Sequence, residues 1–267
     1  MPRPSLVTYL TVATQAVRRA GTLLRTHTGR PRTVRTKTGI TDLVTEIDRA
    51  SERLLHQAIQ RRFPDHGFQG EERTRAHPEA PYQWIVDPLD GTTNFVHGVP
   101  AFAISMALVH RGTRLVGVIY DPTRNELFTA IRHAGARLNG RRLHVSRIRH
   151  LGRSLLSTGF SPASAQQRKR CLRWLEAFQL RCQGVRRIGC ATLNLAYVAC
   201  GREEGFYEHN LWPWDMAAGI LLVEEAGGRA TDFHGHPVHL ERRQVVASNG
   251  LIHTSMLSVL IRRVRGG

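Results

Sequence analysis

The segment Trp84-Ile85-Val86-Asp87-Pro88-Leu89-Asp90-Gly91-Thr92-Thr93-Asn94-Phe95 sets two carboxylates on either side of a proline. An apolar, strand-like run ends at Asp87, and Pro88 fits position i+1 of a type I turn, which would bring the Cα atoms of Asp87 and Asp90 within about 7 Å. Both carboxylates could then meet one cation, with the Leu89 carbonyl as a further ligand. Oxygen donors at this spacing suit Mg²⁺, which keeps several waters and is commonly shared with a phosphate; no Cys or His lies close enough in sequence to suggest zinc. Gly91-Thr92-Thr93-Asn94 would open a helix whose N–H groups and positive dipole end attract an anion. A phosphate ester beside Mg²⁺ is the chemistry implied. From these residues alone, the plainer reading of a turn in which Asp90 caps a helix stays open.

Other acids have equally plain readings when taken singly. Thr45-Glu46-Ile47-Asp48 fits a helix capping box, Glu71 beside Glu72 reads as a loop acid, and Asp215 after Pro213 suits the first turn of a helix. Glu208 closes a short strand-like run. Taken together, Gly70-Glu71-Glu72, then Trp84–Phe95, then Pro213-Trp214-Asp215-Met216-Ala217-Ala218-Gly219, in that order and at those separations, resemble the inositol monophosphatase family. The likeness extends from Thr41-Asp42-Leu43-Val44-Thr45 through Asp48 to Glu224-Glu225-Ala226-Gly227-Gly228.

That resemblance implies an α/β layered sandwich of alternating helix and sheet layers, a homodimer, and a lithium-inhibited hydrolysis of small phosphate monoesters using two or three Mg²⁺ ions. Residue by residue, Glu71, Asp87, the Leu89 carbonyl, Asp90 and Asp215 match metal ligands. Asp48 and Thr92, with Glu71 beside them, match the groups that orient and deprotonate the attacking water. Gly91, Thr92, Thr93 and the loop Gly189-Cys190-Ala191 match substrate-side positions. Glu208 and Asp215 match the acids that meet the polyol hydroxyls, and Lys37 matches a lysine of the N-terminal segment. The expected substrate is myo-inositol 1-phosphate; histidinol phosphate or fructose 1,6-bisphosphate is the alternative within phosphatases.

Residue chemistry agrees with this set. Two unit charges about 5 Å apart at an effective dielectric near 20 repel by roughly 3 kcal/mol, so gathering four carboxylates without cations is costly. Such a cluster needs metal. The haloacid dehalogenase type of phosphatase is excluded, because its D-x-D-G-T motif spaces the acids by two and residue 88 is a proline.

Positioning these residues requires a layered fold. Leu6, Tyr9, Leu10, Ala13, Val17, Ala20 and Leu24 recur at helical spacing, as do Ile47, Leu54, Leu55, Ala58 and Ile59. From Trp84 to about Val145 the pattern turns to short β-rich runs separated by Gly112, Asp121-Pro122, Gly135 and Asn139-Gly140, which predicts an antiparallel meander. The second half alternates strand and helix: Ser154–Thr158, a helix begun by Ser161-Pro162, Val185–Ile188, a helix over Thr192–Cys200, Gly205–Glu208, a helix over Trp214–Ala226, Gln244–Ala247 and a terminal helix. One domain over 1–267 with lobes of about 1–150 and 151–267 is expected. Glu203-Glu204 reads as a turn, Arg168–Arg173 as the polar side of a helix, and His234–His239 as an exposed hairpin.

Composition bounds the rest. The 267 residues carry 38 Lys plus Arg against 21 Asp plus Glu, a formal charge of +17, with 41% hydrophobic residues. This is far from a disordered composition, and no apolar run approaches the roughly 20 residues that cross a bilayer. Four cysteines without a C-x-x-C pair make no disulfide framework, and a cytoplasmic chain is expected. Only Lys37 and Lys169 are lysines. The arginine excess reads as solvated faces, with an RNA or transcription-complex partner as the competing reading.

Overall fold

The computed structural model describes residues 4–30, 33–36, 43–72, 74–160 and 164–262. Lys37, Thr41, Asp42, Ser161 and Pro162 lie outside them. The first lobe opens with helix α1 (Leu6–His27), strands β1 (Val34–Thr36) and β2 (Leu43–Thr45), and helix α2 (Glu46–Arg62). The Ser5 hydroxyl caps α1 by accepting the Thr8 N–H at 3.2 Å, and the apolar stripe Tyr9, Ala13, Val17, Ala20 and Leu24 is buried. There follow β3 (Gly67–Gly70), β4 (Arg75–Ala76), β5 (Tyr82–Asp90), the short helix α3 (Thr92–Val96), β6 (Ala103–His110), β7 (Thr113–Asp121), β8 (Glu126–Ile131), β9 (Gly135–Leu138) and β10 (Arg141–Arg142).

These strands form an eight-stranded sheet in the order β10-β9-β8-β7-β6-β5-β3-β4. The run from β5 to β10 is the expected antiparallel meander, but β3 joins beside β5 in parallel, with Phe68 opposite Trp84 and Gly70 opposite Val86. Side chains alternate across a strand, so Trp84 and Val86 pack under α1 and α2 while Ile85 enters the opposite core.

The second lobe comprises β11 (Leu155–Thr158), α4 (Ala165–Gln179), β12 (Gly184–Arg186), α5 (Ala191–Ala199), β13 (Gly205–His209), α6 (Pro213–Glu225), β14 (Arg229–Thr231), β15 (Gln244–Ser248) and α7 (His253–Arg262). Its five strands are ordered β12-β11-β13-β15-β14. Phe206, Val245 and Ala247 face α5 and α6, whereas Tyr207 and Val246 face Trp174 of α4 and Met256 of α7. The molecule is therefore layered: α1 and α2, the large sheet, α5 and α6, the small sheet, α4 and α7. The two middle helices pack closely because α6 carries Gly219 at their crossing, where a Cβ would lie 2.5 Å from the Cβ of Leu195. Among the described residues no helix is long and apolar enough to cross a membrane.

Several local expectations are corrected. The chain does not turn away from the sheet at Pro88: β5 continues to Asp90, and its register against β6 shifts between Asp87 and Asp90. Helix α4 starts at Ala165, with the Ser164 hydroxyl accepting the Gln167 N–H at 3.2 Å. The His234–His239 segment is an exposed loop as expected, pinned by buried Asp232, which accepts the backbone N–H groups of His234 at 2.8 Å and His236 at 2.9 Å. All four cysteines are free, with Cys190 buried and the others half-buried.

Glu203-Glu204 lies in the link between α5 and β13, but its side chains are not those of a surface loop, being only 3% and 4% exposed. Glu204 accepts the Leu155 N–H at 2.7 Å, and Glu203 accepts the Ser157 hydroxyl. Burial, with a smaller push from Glu204, raises the Glu203 carboxyl from its ordinary 4.5 to about 7. A carboxyl that holds its proton more tightly in the fold than in the unfolded chain adds stability at low pH, lost as pH rises through the folded value. Between pH 5 and 8 the wild-type unfolding free energy should fall relative to Glu203→Gln, by up to about 3 kcal/mol. Urea unfolding at several pH values measures this, and parallel curves for the two proteins would contradict it.

Candidate active site

The expected acids arrive from five separate segments. Asp87 is buried at 1% exposure and lies at the end of β5, beside Ser105 of β6; Glu71, Asp90 and Asp215 are partly exposed. Burial and the charges of Glu71, Asp90 and Asp215 push the Asp87 carboxyl well above the usual carboxylate range, and Glu71 also hydrogen-bonds to it. Asp215 is raised likewise, by burial and then by Asp90, Glu71 and Glu208. The structure thus brings the three acidic motifs and Glu208 into one electrostatic neighbourhood. Among the described residues no three His, Cys, Asp or Glu side chains close into a coordination group.

Each carboxylate is steadied from one side. The Asp87 Oδ1 accepts the Leu89 N–H at 3.0 Å, and the Asp215 Oδ2 accepts the Trp212 N–H at 2.7 Å, capping α6. Asp90 does not cap the helix that follows it. Its Oδ2 accepts the Thr192 N–H at 2.7 Å and the Cys190 thiol at 3.2 Å, so it caps α5 across the lobe boundary. Burial raises its carboxyl, and these bonds counteract part of the rise. The Cys190 side chain is accordingly turned onto Asp90, and Thr93 is exposed on α3. Gly91 precedes α3 in a left-handed conformation with φ 91°. The Asn94 amide donates to the Ala101 carbonyl at 2.7 Å and the Ile188 carbonyl at 3.0 Å, tying the loop at Gly189 to α3.

Asp48 occupies the start of α2 and is buried. Its Oδ2 accepts the Thr45 N–H at 2.8 Å and the Thr45 hydroxyl, which completes the expected capping box. Its Oδ1 accepts the Thr92 hydroxyl at 3.0 Å, and the same hydroxyl lies 3.1 Å from the Leu89 carbonyl. Capping and pairing with Thr92 therefore coexist in one carboxylate. Glu208, at 4% exposure on β13, packs its carboxylate against the backbone of Gly159, where a Cβ would lie 2.1 Å away.

Three positioning residues escape the sequence reading. Glu52, 1% exposed, accepts the N–H groups of Glu72 at 2.7 Å and Thr74 at 3.0 Å, clamping the loop that carries Glu71. Ser51 donates to the Pro88 carbonyl at 2.9 Å. With Asp48 these lie at i, i+3 and i+4 on one face of α2, a buried polar stripe whose spacing was the available signal. Ser105 is a third link, donating to the Trp214 carbonyl at 3.2 Å and fixing the start of α6 next to Asp87.

The donor set is oxygen throughout, joined by the Leu89 carbonyl. Burial and neighbouring charge raise the Asp87 and Asp215 carboxyls, and a hard ion such as Mg²⁺ fits an all-oxygen set of this kind.

Comparison with known proteins points to one family. Residues 5–265 match the model of the inositol monophosphatase family. The chain is 41% identical over 251 residues to the Nus factor SuhB of Escherichia coli strain K12, spanning 93% of this chain and 94% of the relative. It is similar to the solved extragenic suppressor protein SuhB of Bartonella henselae, at 40% identity and a TM-score of 0.90 over 95% of this chain and 98% of that one. An inositol monophosphatase from Anabaena aligns at 38% identity and a TM-score of 0.86 over 96% of each chain. With its acidic motifs folded to one place and the match running nearly end to end, the chain belongs to the inositol monophosphatase family.

Proposed function

We propose that this protein is a Mg²⁺-dependent phosphomonoesterase of small polyol phosphates, with myo-inositol 1-phosphate as its substrate. The observation that carries the reading is the convergence of Glu71, Asp90 and Asp215 on buried Asp87 beside the hydrogen-bonded Thr92–Asp48 pair. Held by those four carboxylates and the Leu89 carbonyl, Mg²⁺ would supply the Lewis acidity and neutralising charge for attack on phosphorus. Thr92 Oγ1, fixed by donating to Asp48, keeps a lone pair to receive a proton from the attacking water, and Asp48 takes the relayed proton. Glu71 approaches the same water from the Gly70–Glu72 loop. The N–H groups at Gly91, Thr92 and Thr93 face the phosphate oxygens, and the Gly189–Ala191 loop closes the opposite wall. Glu208, next to Asp215, accepts the polyol hydroxyls. No side chain serves as a nucleophile, so hydrolysis needs no covalent intermediate.

The expected outcome is Mg²⁺-dependent phosphate release from myo-inositol 1-phosphate in preference to fructose 1,6-bisphosphate, histidinol phosphate or adenosine 3′,5′-bisphosphate. Asp90→Asn should lower kcat at least about a hundredfold, since even outer partners of metal ligands commonly cost 10–100-fold. Undiminished turnover in that variant would remove Asp90 from the mechanism. Glu52→Gln tests the clamp on the Glu71 loop: the Mg²⁺ concentration giving half-maximal rate should rise about tenfold while the melting temperature changes little. A lower melting temperature with unaltered Mg²⁺ dependence would make Glu52 purely structural.

A second reading, association with RNA or a transcription complex, is favoured by the name of the Escherichia coli relative and by the charge of +17. Retention of RNA should then weaken steeply between about 50 and 200 mM salt; a flat salt response would exclude an electrostatic interface. The homodimer and the cytoplasmic location are part of the same proposal, the first read by light scattering.

A further inference from the structure

On the exposed side of α2 a cleft of about 280 Å³ lies between that helix and the β1–β2 ribbon. Arg35, Arg49 and Arg53 line it together with Thr33, Thr45 and Glu46. Arg35 projects from β1, where it pairs in register with Val44, another wall residue. Arg49 and Arg53 stand one helical turn apart, a like-charge spacing that destabilises a helix lacking a counterion. Glu46 is the acid of the lining, and its Oε2 accepts the Thr33 N–H at 2.8 Å. Arg114, Arg124, Arg202 and Arg242 each meet a carboxylate. By contrast, among the described residues none of the three cleft guanidinium groups makes a hydrogen bond or an ion pair.

We propose that this cleft binds a compact, multiply charged phosphate anion of the diphosphate class. Guanidinium groups are planar forks that match phosphate oxygens two at a time, and three of them enter one small space from two elements. The volume lies just below that of ordinary small-molecule pockets, which suits an anion without a large organic part. Among the described residues no aromatic side chain lines the cleft, so they offer nothing on which a base could stack. The site is separate from the carboxylate cluster, although Thr45 belongs to the cleft wall and to the cap on Asp48.

The test is calorimetric titration of the full chain with inorganic diphosphate at low salt in EDTA. Without metal, the acids of the active site repel the anion, so the titration reports the cleft whether or not the phosphatase reading holds. The wild type should bind with an affinity that falls as salt is added. Arg49→Ser and Arg53→Ser should each weaken binding about tenfold or more, with Arg49→Lys intermediate because the fork is lost and the charge kept. Asp90→Asn should bind as the wild type does. Unchanged melting temperatures would show the arginine variants folded. The proposal is overturned if the wild type does not bind diphosphate, if the serine variants bind it equally well, or if they lose affinity for a short single-stranded RNA while keeping it for diphosphate.

Discussion

The mutual repulsion of Glu71, Asp87, Asp90 and Asp215 is the constraint around which this molecule is arranged. No short-range preference brings four like charges together; the surrounding layers must hold them against roughly 3 kcal/mol for each pair about 5 Å apart. The fold does so by giving the acids fixed N–H donors on their protein side. Leu89 serves Asp87, Thr192 serves Asp90 and Trp212 serves Asp215. Oxygens not engaged in this way remain available for a cation, and a hard divalent ion would relieve the repulsion.

Helix α2 sets the geometry. Its buried face presents Asp48 to Thr92, Ser51 to the carbonyl of Pro88 and Glu52 to the loop after β3. One rigid element thereby fixes the Thr92–Asp48 pair, the end of β5 and the Glu71 loop relative to one another. Ser105 performs the corresponding task for α6 by holding the Trp214 carbonyl beside Asp87. Such links connect both lobes through one center, and Asp90 caps α5 as part of the same connection. A displacement of any layer would move one of these acids, and the tight packing of Gly219 against Leu195 limits such displacement between the two middle helices.

Charge outside the site divides into two kinds. Glu203, Glu204 and Asp232 are buried acids that hold strand ends and turns through backbone N–H groups or hydroxyls, and burial leaves Glu203 titrating near neutrality. The arginine excess is largely surface charge, but at Arg35, Arg49 and Arg53 it is concave. Concavity matters because low-dielectric walls strengthen the field that an anion feels.

Much of the fold was legible in the residues. Helical spacing located α1 and α2, turn residues marked the meander, and three acidic motifs named the carboxylates that the fold brings near one another. The local signals failed where partners are distant in sequence. Parallel pairing of Gly67–Gly70 with β5, the continuation of that strand through Pro88 to Asp90, and the capping of α5 by Asp90 are all contacts between separate segments. Glu52 looks like any acid of a surface helix until the loop after β3 folds over it. The sequence alone determined which groups could bind metal and phosphate, since that follows from oxygen donors and their order along the chain. Only the tertiary structure decided which of them share a volume, which oxygens are already satisfied, and which arginines face a cleft, because burial and hydrogen bonding arise from packing of residues far apart in the chain.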